Sequence, residues 1–222
     1  METIKPKLAQ KFLRMVEQKI RTDPNQVQEK NFSAGEHLIK QGDDSQEMFV
    51  ILKGEIKIYY ATLKSNEYLL AIAGPGEIVG EVEILTGEKS LCSVEILMDS
   101  RVAVFKKNIY KRWLQEKPDF ALLINQILCY RLQKISTRAA VHLTYPLEYS
   151  VLKLIKESAF KKSSLTIKIS RNEIANYLGT SIRSINRILR KLHNQELLIV
   201  SKNEIKILSM DFLNKFLAIH EN

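Results

Sequence analysis

Glycine placement constrains this chain more than any other feature: of its eight glycines, seven fall between Gly35 and Gly87, and the eighth is Gly179. Glycine-punctuated sequence builds short strands joined by tight turns, whereas a long stretch lacking both Gly and Pro is free to run as helix. The segments between the glycines fit. "HLIKQG", "MFVILKG", "EIKIYYATL", "EYLLAIAGPG", "SLCSVEIL" and "RVAVFKK" are short, rich in Ile, Val, Leu and Tyr, and bounded by Gly, Asp, Asn or Ser. They predict an antiparallel β-roll of jelly-roll-like form. Ahead of them Leu8, Phe12, Leu13, Val16 and Ile20 recur at helical intervals, until Asp23-Pro24 ends the pattern.

After Lys107 the period changes. "NIYKRWLQ" predicts a short helix, "EKPD" breaks it, and Pro118 opens a helix that meets neither Gly nor Pro until about Leu143. Roughly 24 residues of helix span about 36 Å. Ile124, Leu128, Leu132, Ile135 and Ala139 form one apolar stripe; Phe120, Leu123, Ile127 and Tyr130 add a second. A helix apolar on two sides calls for two partners, its own roll and a second copy of the chain. Burial within one monomer is the alternative. The linker "HLTYPLE", His142 to Glu148, carries Pro146 and with it an extended step. A helix over Glu148–Ala159, with Val151, Leu152, Leu154 and Ile155 inward, and the loop and strand of "KKSSLTIKIS" follow. The expected organisation is α+β: helix and roll over 1–107, short and long helices over 108–143, and a last module over 147–222.

That last module carries the sharpest local signals. Ser170-Arg171-Asn172-Glu173 has the S-x-x-E form of a capping box, so a helix begins at Arg171. Gly179 stands where a left-handed helix stop belongs, and Thr180-Ser181 supplies a fresh N-cap. On a wheel at about 100° per residue, Ile182, Ile185, Ile188, Leu189 and Leu192 occupy an arc of roughly 120°, while Arg183, Arg187, Arg190 and Lys191 occupy about 100° on the other side. An apolar back with cations outward is the form of a recognition helix for a DNA major groove; a merely solvated basic face is the alternative. Leu197–Val200 and Ile205–Leu208 then predict a β-hairpin wing whose tip places Lys202 at phosphate. "MDFLNKFLAIH" closes the chain as a short amphipathic helix.

Composition limits the class. Of 222 residues 45% are hydrophobic and 27% charged, enough for a core and too apolar for a disordered chain. No apolar run reaches the roughly 18 residues of a membrane span. "METIKPKLAQKFLRM" lacks the pattern of a signal peptide, and the two cysteines, Cys92 and Cys129, imply no disulfide framework, so a reducing cytoplasm is expected. His37, His142, His193 and His220 are scattered, with only His37 in the roll, which leaves no three-ligand metal site for a cupin-type enzyme. Catalytic and metal residues are therefore expected to be absent. Net charge is +9, and residues 147–222 hold 13 Lys/Arg against seven Asp/Glu, so +6 sits in the last third. Such asymmetry suits one module meeting a polyanion.

"ISRNEIANYLGTSIRSINRILRKLHNQELLIV" resembles the winged helix-turn-helix of the CRP/FNR transcription regulators. "GEIVGEVEIL" resembles their cyclic-nucleotide-binding-type roll, and the long helix is similar to their dimerisation helix. The resemblance runs from about Asn31 to Leu208 in the family's order; "YYATLKSN…GEVEIL" also resembles the YeiL-like branch. It implies a homodimer through Pro118–Leu143 on double-stranded DNA, with RNA polymerase a partner if the regulator activates. It also implies that Arg171 contacts phosphate, that Thr180, Ser181 and Ser184 hold phosphate at a helix start, and that Arg187 reads guanine O6 and N7. Lys191 and Lys202 complete the set. The family's cytosine-reading Glu is replaced by Arg183, preceded by Ile182; Arg183 suits guanine or phosphate, and Ile182 suits a thymine methyl.

For the effector, the resemblance places Gly80 and Glu81 at the ribose position. At the cyclic phosphate, however, Lys89 and Ser90 stand where the family has a bidentate Arg. Ile135-Ser136 replaces the adenine-contacting Thr-Ser pair. Cyclic AMP is therefore not the expected effector, no cofactor is implied, and the small molecule stays unidentified. Another effector, none at all, or redox chemistry at Cys92 or Cys129 remain open, both cysteines being read first as small buried hydrophobes. A roll-type adaptor whose winged helix binds protein is the alternative to a DNA-binding regulator.

Overall fold

A computed structural model describes residues 4–62 and 67–221, without the side chains of 161, 162, 220 and 221. Residues 63–66 of the "YYATLKSN" stretch, and the side chain of His220, lie outside the described residues. Two compact units divide the chain, residues 1–135 and 136–222.

The first unit contains α1 (Pro6–Thr22), β1 (Val27–Phe32), β2 (His37–Ile39), β3 (Glu47–Ala61), β4 (Glu67–Ala73), β5 (Ile78–Val79), α2 (Glu81–Thr86), β6 (Ser93–Lys106) and α3 (Lys107–Glu116). It ends within α4 (Pro118–Thr144). Every strand pairs antiparallel, in the order β1-β6-β3-β4, with β2 also on β6 and β5 on β3. The roll is built from fewer, longer strands than the glycine spacing predicts. "MFVILKG" and "EIKIYYATL" are one strand, β3; "SLCSVEIL" and "RVAVFKK" are likewise one, β6. Gly54 bends β3 instead of ending it: its φ is +107°, and the β3–β6 register slips on both sides of it. A Cβ built there would lie 1.9 Å from Ser100 Oγ on β6, so the crossing needs a bare backbone.

Alternation along β3 sorts the core into two layers. Phe49, Ile51 and Ile56 join Ile39, Val94, Ile96, Val102 and Val104 within the roll. Met48, Val50 and Leu52 face the helices, meeting Phe12 and Val16 of α1, Tyr110 and Trp113 of α3, and Phe120, Leu123, Ile124 and Ile127 of α4. Phe105 stands edge-on to Trp113 with ring centroids 5.2 Å apart, and the Trp113 indole N–H donates to Gln26 Oε1 at 2.9 Å. Three elements carried no usable sequence signal. In β1, "VQEKNF", only Val27 is buried, so no alternation marks it as the edge partner of β6. β5 is two residues long and α2 six.

The apolar stripe drawn through Ile124, Leu128, Leu132, Ile135 and Ala139 does not stay on one surface. Ile124 is buried on the roll and Leu128 packs beside it, whereas Leu132 and Ile135 are 65% and 54% exposed. One exposed stripe of α4 follows Leu122, Asn125, Cys129, Leu132, Ser136, Ala139 and Leu143, at alternating steps of three and four. At 3.6 residues per turn, two steps of four carry Leu132 about 80° off the face of Ile124, whereas Ile135 returns to within about 20° of it. Ile135 is exposed because the apolar α4 side chains packed on the roll end at Leu128.

In the second unit, α5 (Leu147–Lys162), β7 (Thr166–Lys168), α6 (Arg171–Leu178), α7 (Ile182–Asn194), β8 (Leu198–Val200), β9 (Glu204–Ile207) and α8 (Met210–Glu221) follow the end of α4. Pro146, at φ −56° and ψ 150°, makes the extended step into α5. β9 lies between β7 and β8 in a three-stranded antiparallel sheet. The core gathers Tyr149, Leu152 and Ile155 of α5, Ile174 and Leu178 of α6, Ile185, Leu189 and Leu192 of α7, and Leu213 and Leu217 of α8.

Gly54→Ala is expected to lose about 1–3 kcal/mol of stability, through left-handed backbone strain and overlap with Ser100. Urea unfolding of the full chain against wild type measures it, and unchanged stability would show that β3 and β6 part readily there.

Candidate nucleic-acid interface

Local chemistry builds the two helices of the candidate interface. Ser170 Oγ accepts from Glu173 N at 3.2 Å while Glu173 Oε2 accepts from Ser170 N at 2.6 Å, which completes the capping box at the start of α6. Gly179 adopts φ +59° and ψ 35°, and Thr180 N closes back on Ala175 O at 3.0 Å. Ser181 then caps α7, its Oγ accepting from Ser184 N at 3.1 Å and lying 3.0 Å from Ser184 Oγ. A cap of this kind stabilises a helix by about 1 kcal/mol. It leaves the Ile182 and Arg183 N–H groups, which have no intrahelical acceptor, directed at whatever approaches the helix start.

α7 then segregates. Ile185, Ile188, Leu189 and Leu192 are buried, and Arg183, Arg187 and Arg190 are exposed. Two side chains depart from the wheel. Ile182, placed in the apolar arc, is 45% exposed, because the first residue of α7 stands beyond the core its later turns cover. Lys191 does not present a free charge: its Nζ lies 2.8 Å from Glu148 Oε2 and 3.0 Å from Oε1, on the first turn of α5. Arg171 and Thr180 are half-buried, whereas Lys202 is exposed at the tip of the β8–β9 wing, which Ser201 N closes on Glu204 O at 2.8 Å.

Behind α6 stands a residue that sequence inspection did not single out. Arg138, from the last turns of α4, donates through Nη2 to Tyr177 O, and its guanidinium lies 4.0 Å from the centroid of the Tyr177 ring. Nothing local marks this contact; the partners are 39 residues apart.

The Gly80–Glu81 turn is tied into the roll by buried contacts of its own. Gly80 has φ +86°, and a Cβ there would fall 2.4 Å from Glu47 O, so the glycine is required by the fold itself. Glu81 and Glu77 are both fully buried on Arg131 of α4. Arg131 Nη1 donates to Glu81 Oε1 at 2.6 Å, and Nη2 donates to Ile78 O at 2.8 Å and to Glu77 Oε1. Burial pushes the Glu81 carboxyl above the usual carboxylate range, which Arg131 only partly offsets. For Arg131, burial pulls the other way but the two carboxylates prevail and raise it. Neither Glu77 nor Arg131 was anticipated. Of the other expected effector residues, Lys89, Ile135 and Ser136 are exposed and Ser90 is buried, its N–H donating to Asp43 O at 2.8 Å. Cys92 is half-buried, and burial and Glu83 push its thiol up to about 11; Cys129 is exposed on α4, not buried. No described helix is long and apolar enough to cross a membrane.

An antiparallel roll, a long helix and a winged helix-turn-helix with arginines along its second helix define a DNA-binding regulator. The sequence matches the family models described as "Cyclic nucleotide-binding domain" over residues 29–117 and "Crp-like helix-turn-helix domain" over residues 149–216. It is 25% identical over 168 residues to the cAMP-activated global transcriptional regulator CRP of Salmonella typhimurium, covering 72% of this chain and 80% of that one. To the cyclic AMP receptor protein of Thermus thermophilus it is 26% identical over 171 residues, 74% and 76% of the two chains. Among solved structures, the c-di-GMP responsive global regulator CLP of Xanthomonas campestris superposes with a TM-score of 0.77 at 16% identity, covering 87% of this chain and 100% of that one. A regulator of the CRP/FNR family from Eubacterium rectale gives 0.75 at 17% identity, covering 92% and 94%. The chain belongs to the CRP/FNR family of transcription regulators, whose members are not enzymes.

Arg131→Met removes the cation that, among the described residues, faces the two buried carboxylates, and a loss of about 3–5 kcal/mol is expected. The deficit should narrow as pH falls into the carboxylate range. A carboxyl whose pKa is raised by folding favours the folded chain while protonated and disfavours it once ionised. Urea midpoints at pH 7.5 and 5.0 measure both; an equal deficit at the two pH values would assign the loss to packing.

Proposed function

We propose that the protein is a homodimeric, sequence-specific regulator in the cytoplasm, with α7 as its base-reading helix and an effector other than cyclic AMP. The observation that carries the reading is the segregation of α7: four side chains buried, and Arg183, Arg187 and Arg190 exposed. Arg187 reads a guanine through O6 and N7, Arg183 a guanine or phosphate, and Ile182 a thymine methyl, a role its exposure favours. Arg171, Thr180, Ser181, Ser184 and Lys202 hold the backbone in register, and Lys191 contributes less because Glu148 already neutralises it. Two copies joined through Pro118–Leu143 would present their reading helices about 34 Å apart, to a site with two-fold symmetry. The exposed α4 side chains Leu122, Leu132 and Leu143 support such a seam. If the regulator activates, RNA polymerase is the further partner.

Named relatives respond to cyclic nucleotides, cAMP in one case and c-di-GMP in another. Three features of this chain argue for a different small molecule at Gly80, Glu81, Lys89, Ser90, Ile135 and Ser136. No guanidinium stands at Ser90, Glu81 Oε1 is taken by Arg131, and an isoleucine stands where a hydroxyl met adenine.

Selection of bound duplex from a random pool tests the central reading, with a two-fold symmetric site expected; recovery of no preferred sequence would overturn it. On the selected site Arg187→Ala should cost about 1–3 kcal/mol, with binding to random duplex nearly unchanged. Lys191→Ala should alter the salt dependence by less than the roughly 0.9 expected of a full phosphate contact. Equal losses on both duplexes for Arg187→Ala would count against base reading. Leu132→Glu, which sets like charges across the α4 seam, is expected to yield a folded monomer by sedimentation; a dimer of unchanged strength would place the interface elsewhere.

A further inference from the structure

We propose that Arg138 is a positioning residue for DNA reading, acting through the Tyr177 carbonyl to hold the helix-turn-helix at its working angle. The inference starts from the end of α6. Of its last carbonyls, Asn176 O accepts from Gly179 N at 3.4 Å and Ala175 O from Thr180 N at 3.0 Å, so the turn itself closes on those two. Tyr177 O accepts from a side chain of another helix, Arg138 Nη2. A guanidinium at a helix C-terminus also meets the negative end of the helix dipole. The same guanidinium lies on the Tyr177 ring, so one planar group engages both the backbone and the side chain of a single residue. A lysine would keep the charge but lose the fork.

What this grip controls follows from chain length. Only Gly179, Thr180 and Ser181 separate α6 from α7, so the direction in which α6 ends sets the direction in which α7 begins. Arg187 stands five residues into α7, about 8 Å along its axis at 1.5 Å per residue, so a tilt of ~10° at the turn moves it by a little over ~1 Å. A bidentate contact does not survive that displacement, because hydrogen bonds weaken steeply with length and angle. A phosphate contact through a flexible side chain does survive it. Losing Arg138 should therefore erode discrimination before it erodes attraction. For His142, one helical turn further along α4, burial and the Arg138 charge hold the imidazole below its ordinary range.

The proposal rests on α7 reading bases, and the test separates the two claims. Binding of full-length wild type, Arg138→Ala, Arg138→Lys and Arg187→Ala is measured on the selected site and on random duplex of the same length. Arg138→Ala is expected to weaken the selected site at least tenfold while changing random-duplex binding less than twofold; Arg138→Lys, which keeps the charge but loses the fork, should recover selected-site binding only in part. Amide exchange should quicken at Gly179 and Thr180 in Arg138→Ala and stay unchanged in β8 and β9. Should Arg138→Ala melt below the assay temperature, Arg138→Met, which keeps the apolar stem, is held to the same criteria. Selected-site binding within twofold of wild type overturns the proposal, as do equal losses on both duplexes, which would make Arg138 a plain source of charge. A wild type with no preferred site would overturn base reading and this proposal together. A discriminating wild type beside an equally discriminating Arg138→Ala overturns this one alone.

Discussion

Burying two carboxylates beside one guanidinium forces a particular arrangement on the first unit. Either carboxylate alone, out of water, would cost several kcal/mol, and the guanidinium alone as much. Together they are tolerable only where each fork nitrogen meets an oxygen, as Arg131 does with Glu81, Glu77 and Ile78 O. The cluster therefore fixes more than a contact. It sets the rotation of the first half of α4 about its axis, since Arg131 can reach the β5–α2 turn only with Phe120, Leu123, Ile124 and Ile127 facing the sheet. Leu122, Cys129 and Leu132 are turned outward by that same choice. Packing alone would be less decisive, because apolar residues occur nearly all round the helix and several rotations would bury a comparable set.

The second unit reaches its definition by local means. Its helices are bounded by groups within three or four residues of one another: Ser170 with Glu173, Gly179 with the end of α6, Ser181 with Ser184. Each closure satisfies backbone groups that a helix end leaves open. Once α7 begins at Ile182, four apolar side chains per three and a half turns settle which face is inward. The arginines follow without needing any partner of their own, which suits residues meant to meet a ligand.

These two styles explain what the sequence disclosed. Caps, the Gly179 stop, the wing and the segregation of α7 are legible because their causes are short-range and repeat at a known period. The long helix is legible for the same reason. The roll is legible as a class but not in its strand count: Gly54 looks like a terminator by composition and acts as a bend, and only the proximity of Ser100 distinguishes the two. β1 escapes because an edge strand with one buried residue has no alternation to detect. The apolar stripe on α4 misleads because periodicity reports that a residue is apolar, not which of two partners covers it. Ile124 and Leu132 look alike in sequence, yet one is buried and the other exposed.

Polar ties between elements are the class most thoroughly hidden. Arg131 and Glu81 are 50 residues apart, Lys191 and Glu148 are 43, and Arg138 and Tyr177 are 39. No pattern of spacing connects them, since which residues meet depends on how the elements between are folded. Their consequence is nonetheless functional. Counting charges along α7 gives four cations, but Glu148 neutralises Lys191, so the helix offers DNA three. Arg138 is counted among the basic residues of the chain, yet its guanidinium is engaged by Tyr177 and is not available to a phosphate. Net charge already counts Glu148 against Lys191, and Arg138 keeps its charge beside a carbonyl, so these ties change which cations face outward and not the total.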